Sequence, residues 1–231
     1  MKKDNQFINL FISIIIPTII LTKFSKDAYL GPVFGLMAAL SLPLIYGLYE
    51  LIIQKRRSFI SILGFVSILL TGVIGLWQFP PHWIAVKESA IPLLIGLVVL
   101  TSTRTSWQIV KKLLFNGELF DIEEIELRIN SANLQAELNR MLNRANTFLA
   151  ASFLFSATLN YFLAKTIVQS LPGTIQFNEE IGRMTMLSYP VIAIPSVAIM
   201  MLIFWYMIFS LKKLTQLSTN ELFSKNIRDK A

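Results

Sequence analysis

The sequence predicts an all-α fold: a polytopic membrane helix bundle of six transmembrane helices, both termini cytoplasmic, with an amphipathic cytoplasmic helical insert. Three observations predict it. Hydrophobic residues make up 54% of the 231 and charged residues only 15%, where a soluble domain carries about 25% charged. The apolar residues are gathered into windows long enough to cross a bilayer, which takes roughly 20 residues at about 1.5 Å each. The basic residues sit in short clusters between those windows, as orientation signals do.

The first span covers about 7–22 and includes Pro17. Its basic start and apolar run imitate a signal peptide, but "TKFSKDAYLG" follows without a small-x-small cleavage site, so it reads as a retained helix. The second span covers about 30–53 and the third about 59–77, where Pro80 and Pro81 stop it. The fourth is about 83–103, with Trp83 suited to the interfacial belt and His82 a solvated turn residue. The fifth covers about 147–167, and the sixth about 184–211 with Pro190 and Pro195. Kinks are expected in the first, fourth and sixth spans, because neighbouring helices can re-satisfy the carbonyls that proline frees. The whole chain, 1–231, reads as one membrane domain.

Orientation follows from lysine and arginine. With the N-terminus inside, 16 basic residues fall on the cytoplasmic side: Lys2, Lys3, Lys55, Arg56, Arg57, Arg104, Lys111, Lys112, Arg128, Arg140, Arg144, Lys212, Lys213, Lys225, Arg228 and Lys230. Only Lys23, Lys26, Lys87, Lys165 and Arg183 fall outside. The asymmetry is that of an inner-membrane protein with both ends in the cytoplasm.

Residues 104–144 form the insert. "RTSWQIVKKLLFNG" reads as a helix along the membrane surface, stopped at Asn116-Gly117. In "DIEEIELRI", Asp121 is an N-cap with Glu124 three residues on, and Ile122, Ile125 and Ile129 make one stripe. Leu134, Leu138, Met141 and Leu142 repeat the pattern. The insert's six basic residues are matched by six acidic ones, which argues against a polybasic lipid patch across the whole insert. A helical hairpin under the membrane, or a partner-binding face, fits better.

The candidate site is a set of charges at the outer ends of three spans: Lys87 and Glu88 in the fourth, Lys165 in the fifth, and Glu179, Glu180 and Arg183 before the sixth. Ionisable groups at membrane depth are functional candidates, although local helix pairing of Glu179 or Glu180 with Arg183 is the plainer reading of the last three. Adjacent residues do not face each other on a helix, so Glu88 is expected to pair with Arg183 or Lys165. Asn160 lies further into its span and can hydrogen-bond across helices. Gly31, Gly35 and Ala39 are spaced for close helix approach, within the bundle or in a dimer. Glu50 is placed to pair with Lys55 or Arg56.

Several chemistries are excluded. There is no cysteine and one histidine, so thiolate chemistry and a histidine-held metal are ruled out. No phosphate loop and no G-x-S-x-G turn occurs. No catalytic residue, cofactor or metal is expected, and the basic clusters suit membrane orientation rather than nucleic acid.

"ISILGFVSILLTGVIGLW", "WIAVKESAIPLLIGLVVL", "ASFLFSATLNYFLAK" and "FNEEIGRMTMLSYPVIAIPS" resemble an uncharacterised family of bacterial inner-membrane proteins over nearly the whole chain. More distantly, the same blocks are similar to the intracellular septation protein A family. Its fourth span also begins with a lysine close to a tryptophan, here Trp83 and Lys87, and its fifth contains L-N-x-Y, here Leu159, Asn160 and Tyr161. The chain departs from that family in Glu179 and Glu180, where relatives carry a W-V-N-F-K type motif, and in its longer insert. The resemblance implies a non-enzymatic scaffold of the envelope or division machinery, in contact with the lipid bilayer and with envelope proteins or copies of itself. The charged cluster offers the other expectation, a small-solute or ion transporter.

Overall fold

The computed structural model describes residues 14–52, 59–103, 108–224 and Ile227, with the side chains of 50–52 and 59–61 left aside. Its regular elements are all helical among those residues. They are α1 (Ile16–Ile19), continued by a π-helical turn Ile20–Phe24, then α2 (Gly31–Ile52), α3 (Phe59–Leu76) and α4 (His82–Ser102). After these come α5 (Ile109–Leu113), α6 (Ile122–Ser131), α7 (Gln135–Ile167) and α8 (Ile175–Ser188). A second π-helical turn, Tyr189–Ala193, leads into α9 (Ile194–Thr215), and α10 (Thr219–Leu222) follows.

Among the described residues, four helical stretches are long and apolar enough to cross a membrane: Gly31–Tyr49, His82–Ser102, Gln135–Ile167 and Ile175–Thr215. They match the second, fourth, fifth and sixth expected spans. The third corresponds to α3, whose described apolar part Ile62–Leu76 is shorter. The first part of the first span, 7–13, lies outside the described residues, as do Lys2, Lys3, Lys55, Arg56, Arg57, Arg104, Lys225, Arg228, Lys230 and the side chain of Glu50.

Two boundaries differ from expectation. The helix that carries the fifth expected span begins well before Thr147: α7 is one helix of 33 residues from Gln135. Nothing between Leu134 and Thr147 can break a helix, and the buried stripe Leu138, Met141, Leu142, Ala145, Leu149 keeps helical spacing straight through. The sixth helical stretch begins at Ile175 rather than Met184. The Thr174 hydroxyl caps it by accepting from the Phe177 N–H at 3.2 Å. The expected irregularity in this span takes the form of the π turn at Pro190, which has no N–H to keep the α-helical ladder in register. Pro17 sits at the start of α1, just before the other π turn, whereas α4 stays α-helical through Pro92.

The chain divides into two compact units, 1–91 with 157–193, and 92–156 with 194–231. The first has a core of Leu21, Leu36, Ala39, Ile74, Ile84, Phe177 and Ile181. The small-residue stripe serves it in an unexpected way. Gly31 has φ +69°, the left-handed turn that opens α2. Only Gly35 marks a close approach, since a Cβ there would overlap the Ser25 side chain. Ala39 is fully buried.

The second unit is built on Val110, Phe120, Ile125, Ile129, Leu142, Leu149, Met207 and Leu211. Asp121 Oδ1 accepts from the Glu124 N–H at 3.4 Å and caps α6. Ile125 and Ile129 are buried and Ile122 packs against them. Of the stretch before it, 104–107 lie outside the described residues, and 108–117 are less helical than expected: α5 has five residues, and its Val110 is fully buried rather than spread along a surface. The end of α10 and the residues after it close over the insert. Asp121 N donates to Leu222 O at 2.9 Å, Ser224 N donates to Leu119 O at 3.1 Å, and the Phe120 and Phe223 rings stack.

Candidate functional site

Pro80 and Pro81 end the connection after α3, and their carbonyls receive the Trp83 and Ile84 N–H groups as α4 begins. That start places Lys87 on the face of α4 turned toward α3. Ser67 and Thr71 stand one turn apart on α3, and the ammonium reaches both. Lys87 Nζ donates to Thr71 Oγ1 at 2.9 Å and to Ser67 Oγ at 3.1 Å, with Ser67 O at 3.4 Å. The Thr71 hydroxyl donates its own hydrogen to Ser67 O at 3.1 Å, which leaves a lone pair facing the ammonium.

Glu88 Oε1 lies 2.7 Å from Lys87 Nζ. The expectation that Glu88 pairs with Arg183 or Lys165 is therefore corrected: its partner is the adjacent lysine. The two Cβ atoms diverge, but the four-carbon stem lets the ammonium fold back to its neighbour's carboxylate. The Lys87 side chain is 6% exposed and that of Glu88 26%, so the cation is sunk between helices and the carboxylate sits at the edge. An isolated buried ammonium would be costly; here its three hydrogens have a carboxylate and two hydroxyls. Beside it, an apolar cleft of about 400 Å³ is lined by Leu70, Val73, Ile74, Trp83, Val86 and the stem of Lys87.

The other expected members do not join this pair. Glu180 turns to the loop between α7 and α8, accepting from Gln169 N at 2.9 Å, Ser170 N at 2.8 Å and Ser170 Oγ at 2.7 Å. The short connection aims those amides at the helix, and a carboxylate satisfies them better than it would a distant lysine. Glu179 and Arg183 are exposed, and no ion pair joins Arg183 to Glu179 or Glu180 among the described residues. Lys165 is exposed, with Nζ 5.5 Å from the centroid of the Tyr161 ring. Asn160 is half-buried.

Two asparagines outside the expected charged set are also buried and hydrogen-bonded between elements. Asn178 on α8 is 1% exposed, and its Nδ2 donates to Pro32 O at 2.7 Å and Ser25 Oγ at 3.0 Å. Asn146 on α7 is fully buried. Its Nδ2 donates to Val99 O at 2.8 Å, Thr103 Oγ1 at 2.8 Å and Ser102 Oγ at 3.0 Å, while its Oδ1 accepts from Val110 N at 3.1 Å. A polar residue within an otherwise apolar stripe was the available signal for both: Asn178 is one turn from Ile181, and Asn146 stands between Leu142 and Leu149.

Chemically, the hydrogen bonds from Lys87 to Ser67 and Thr71 can hold α4 against α3, with Glu88 of the same helix balancing the charge. A solute could take the ammonium only by displacing a hydroxyl or Glu88. Among the described residues, no three His, Asp or Glu side chains are grouped to hold a metal ion. Compared with protein-family models, curated proteins and solved structures, the chain matches none.

Proposed function

We propose that the chain is a non-enzymatic bacterial inner-membrane protein with six spans and both termini in the cytoplasm, serving as a scaffold of the envelope or division machinery. The observation that carries this reading is the engagement of Lys87: its ammonium is taken up by Ser67, Thr71 and Glu88 of its own helix pair. A transport site needs polar groups free to exchange partners with a passing solute, and polar lining on both sides of the midplane. The clefts of about 500 Å³ between α2 and α3 and about 400 Å³ beside Lys87 have apolar walls instead. The envelope or division role rests on the resemblance read from the sequence to the septation protein A family.

Flux measurements in proteoliposomes test the proposal. Ion and small-solute flux is expected to equal that of empty vesicles, for both the native chain and Glu88→Gln. A flux above background that Glu88→Gln abolishes would establish the transporter instead. Topology is separately testable, because the chain contains no cysteine and single introduced cysteines report cleanly. Labels near either terminus should react only from the cytoplasmic side.

A further inference from the structure

In the second unit, α7 and α9 flank a groove of about 770 Å³. On α7, Glu137, Arg140 and Arg144 recur at three- and four-residue steps, so they line one face about 6 Å apart per turn. On α9, Tyr206, Phe209 and Lys213 do the same. The groove thus brings together three cations and one carboxylate. Arg140, Arg144 and Lys213 are exposed, and none makes an ion pair among the described residues.

Toward the middle of both helices the outward surface becomes apolar. Phe148 and Phe155 on α7 are 48% and 46% exposed, and Trp205 and Phe209 on α9 are 67% and 61% exposed. The groove therefore lies where a surface fit for acyl chains meets unneutralised positive charge. A free anion would use only the cations, and an acidic peptide would leave the aromatic faces bare. A ligand with a phosphate and two hydrocarbon chains uses both.

We propose that this groove binds one anionic phospholipid, with its phosphate between Arg140, Arg144 and Lys213 and its chains along Phe209 and Phe148. Basic pockets between membrane helices suit such headgroups. The balanced charge of the insert conceals the site, because five of its six carboxylates lie in 118–126, away from Arg140 and Arg144. Lys213 comes from a helix about 70 residues further along and is not in the insert at all.

Native mass spectrometry of the full chain in detergent, with phosphatidylglycerol and phosphatidylcholine added in equal amounts, tests the site. The native chain should retain one phosphatidylglycerol in preference. Each neutralisation among Arg140→Gln, Arg144→Gln and Lys213→Gln should weaken retention about fivefold, and the triple variant should lose the preference. Arg140→Lys with Arg144→Lys, which keeps the charge, and Lys23→Gln with Lys26→Gln, which lies elsewhere, should both leave it intact. An unchanged melting temperature of the triple variant shows that the fold survives. Equal retention of the two lipids by the native chain would overturn the proposal, as would an undiminished preference in the triple variant. Displacement of the lipid by millimolar inorganic phosphate alone would also overturn it, since the chains would then contribute nothing.

Discussion

Lys87 in the first unit and Arg140, Arg144 and Lys213 in the second are all cations at the ends of apolar helices, yet they have opposite fates. Lys87 is 8% exposed and has found a carboxylate and two hydroxyls on its own helix pair. The other three remain exposed and unpaired among the described residues. The difference lies in what the opposing helix offers. Across from Lys87, α3 presents Ser67 and Thr71 one turn apart; across from Arg140 and Arg144, α9 presents Tyr206, Phe209 and another cation. A cation facing hydroxyls becomes part of the architecture, and one facing a cation stays available to something outside the chain.

The comparison breaks most sharply at Lys87. Lys87→Met should cost about 2–3 kcal/mol, somewhat under the ~3–5 kcal/mol typical of a broken buried pair, because Glu88 at the edge keeps some access to solvent. Unfolding in mixed micelles followed by circular dichroism would measure it. A loss below about 0.5 kcal/mol would show that the ammonium contributes no more than an exposed charge.

Next in size is Asn146→Leu. It strips the partner from Val110 N and from acceptors at the end of α4, and should destabilise by about 2 kcal/mol. Asn178→Leu should cost about half as much, because it also removes Oδ1, a buried acceptor with no hydrogen-bond partner. Equal losses at the two sites would mean that the orphaned oxygen carries no penalty.

Glu180→Gln should cost about 1 kcal/mol, by weakening a charge-assisted contact to two backbone amides. Hydrogen exchange at Gln169 and Ser170 should quicken with it, and unchanged exchange there would separate Glu180 from the loop. The smallest effect belongs to the exposed pair of Glu124 and Arg128, 2.9 Å apart. Glu124→Ala should change stability by about 0.3–0.5 kcal/mol, and high salt should erase the difference.

Much of this was readable in the sequence, and the failures have physical causes. Apolar windows located the second, fourth, fifth and sixth helical stretches, because a bilayer demands length and hydrophobicity and little else. Asp121 and its isoleucine stripe were legible because capping and periodicity are local. The continuity of α7 from Gln135 is not legible in hydropathy, which marks where a helix turns apolar, not where it begins. The partner of Glu88 is missed because the divergence of adjacent Cβ atoms says nothing of how far a lysine stem can fold back. Neutral Ser67 and Thr71 drew Lys87 into the helix interface, and the flexible stem then brought the ammonium back to Glu88. Gly31 and Gly35 looked alike in spacing, but one serves a left-handed turn and the other a close contact, and only φ separates them.

Lys87 ties α4 to α3 through Ser67 and Thr71 rather than waiting for a solute. A double-mutant cycle on Lys87→Met and Thr71→Val, whose side chains meet across the two helices at 2.9 Å, read by unfolding in micelles, tests this. If that contact is structural, the double variant should be more stable than the sum of the two single losses implies, by about 1 kcal/mol or more. Strictly additive losses would show that the two side chains stabilise nothing jointly, and would contradict the account.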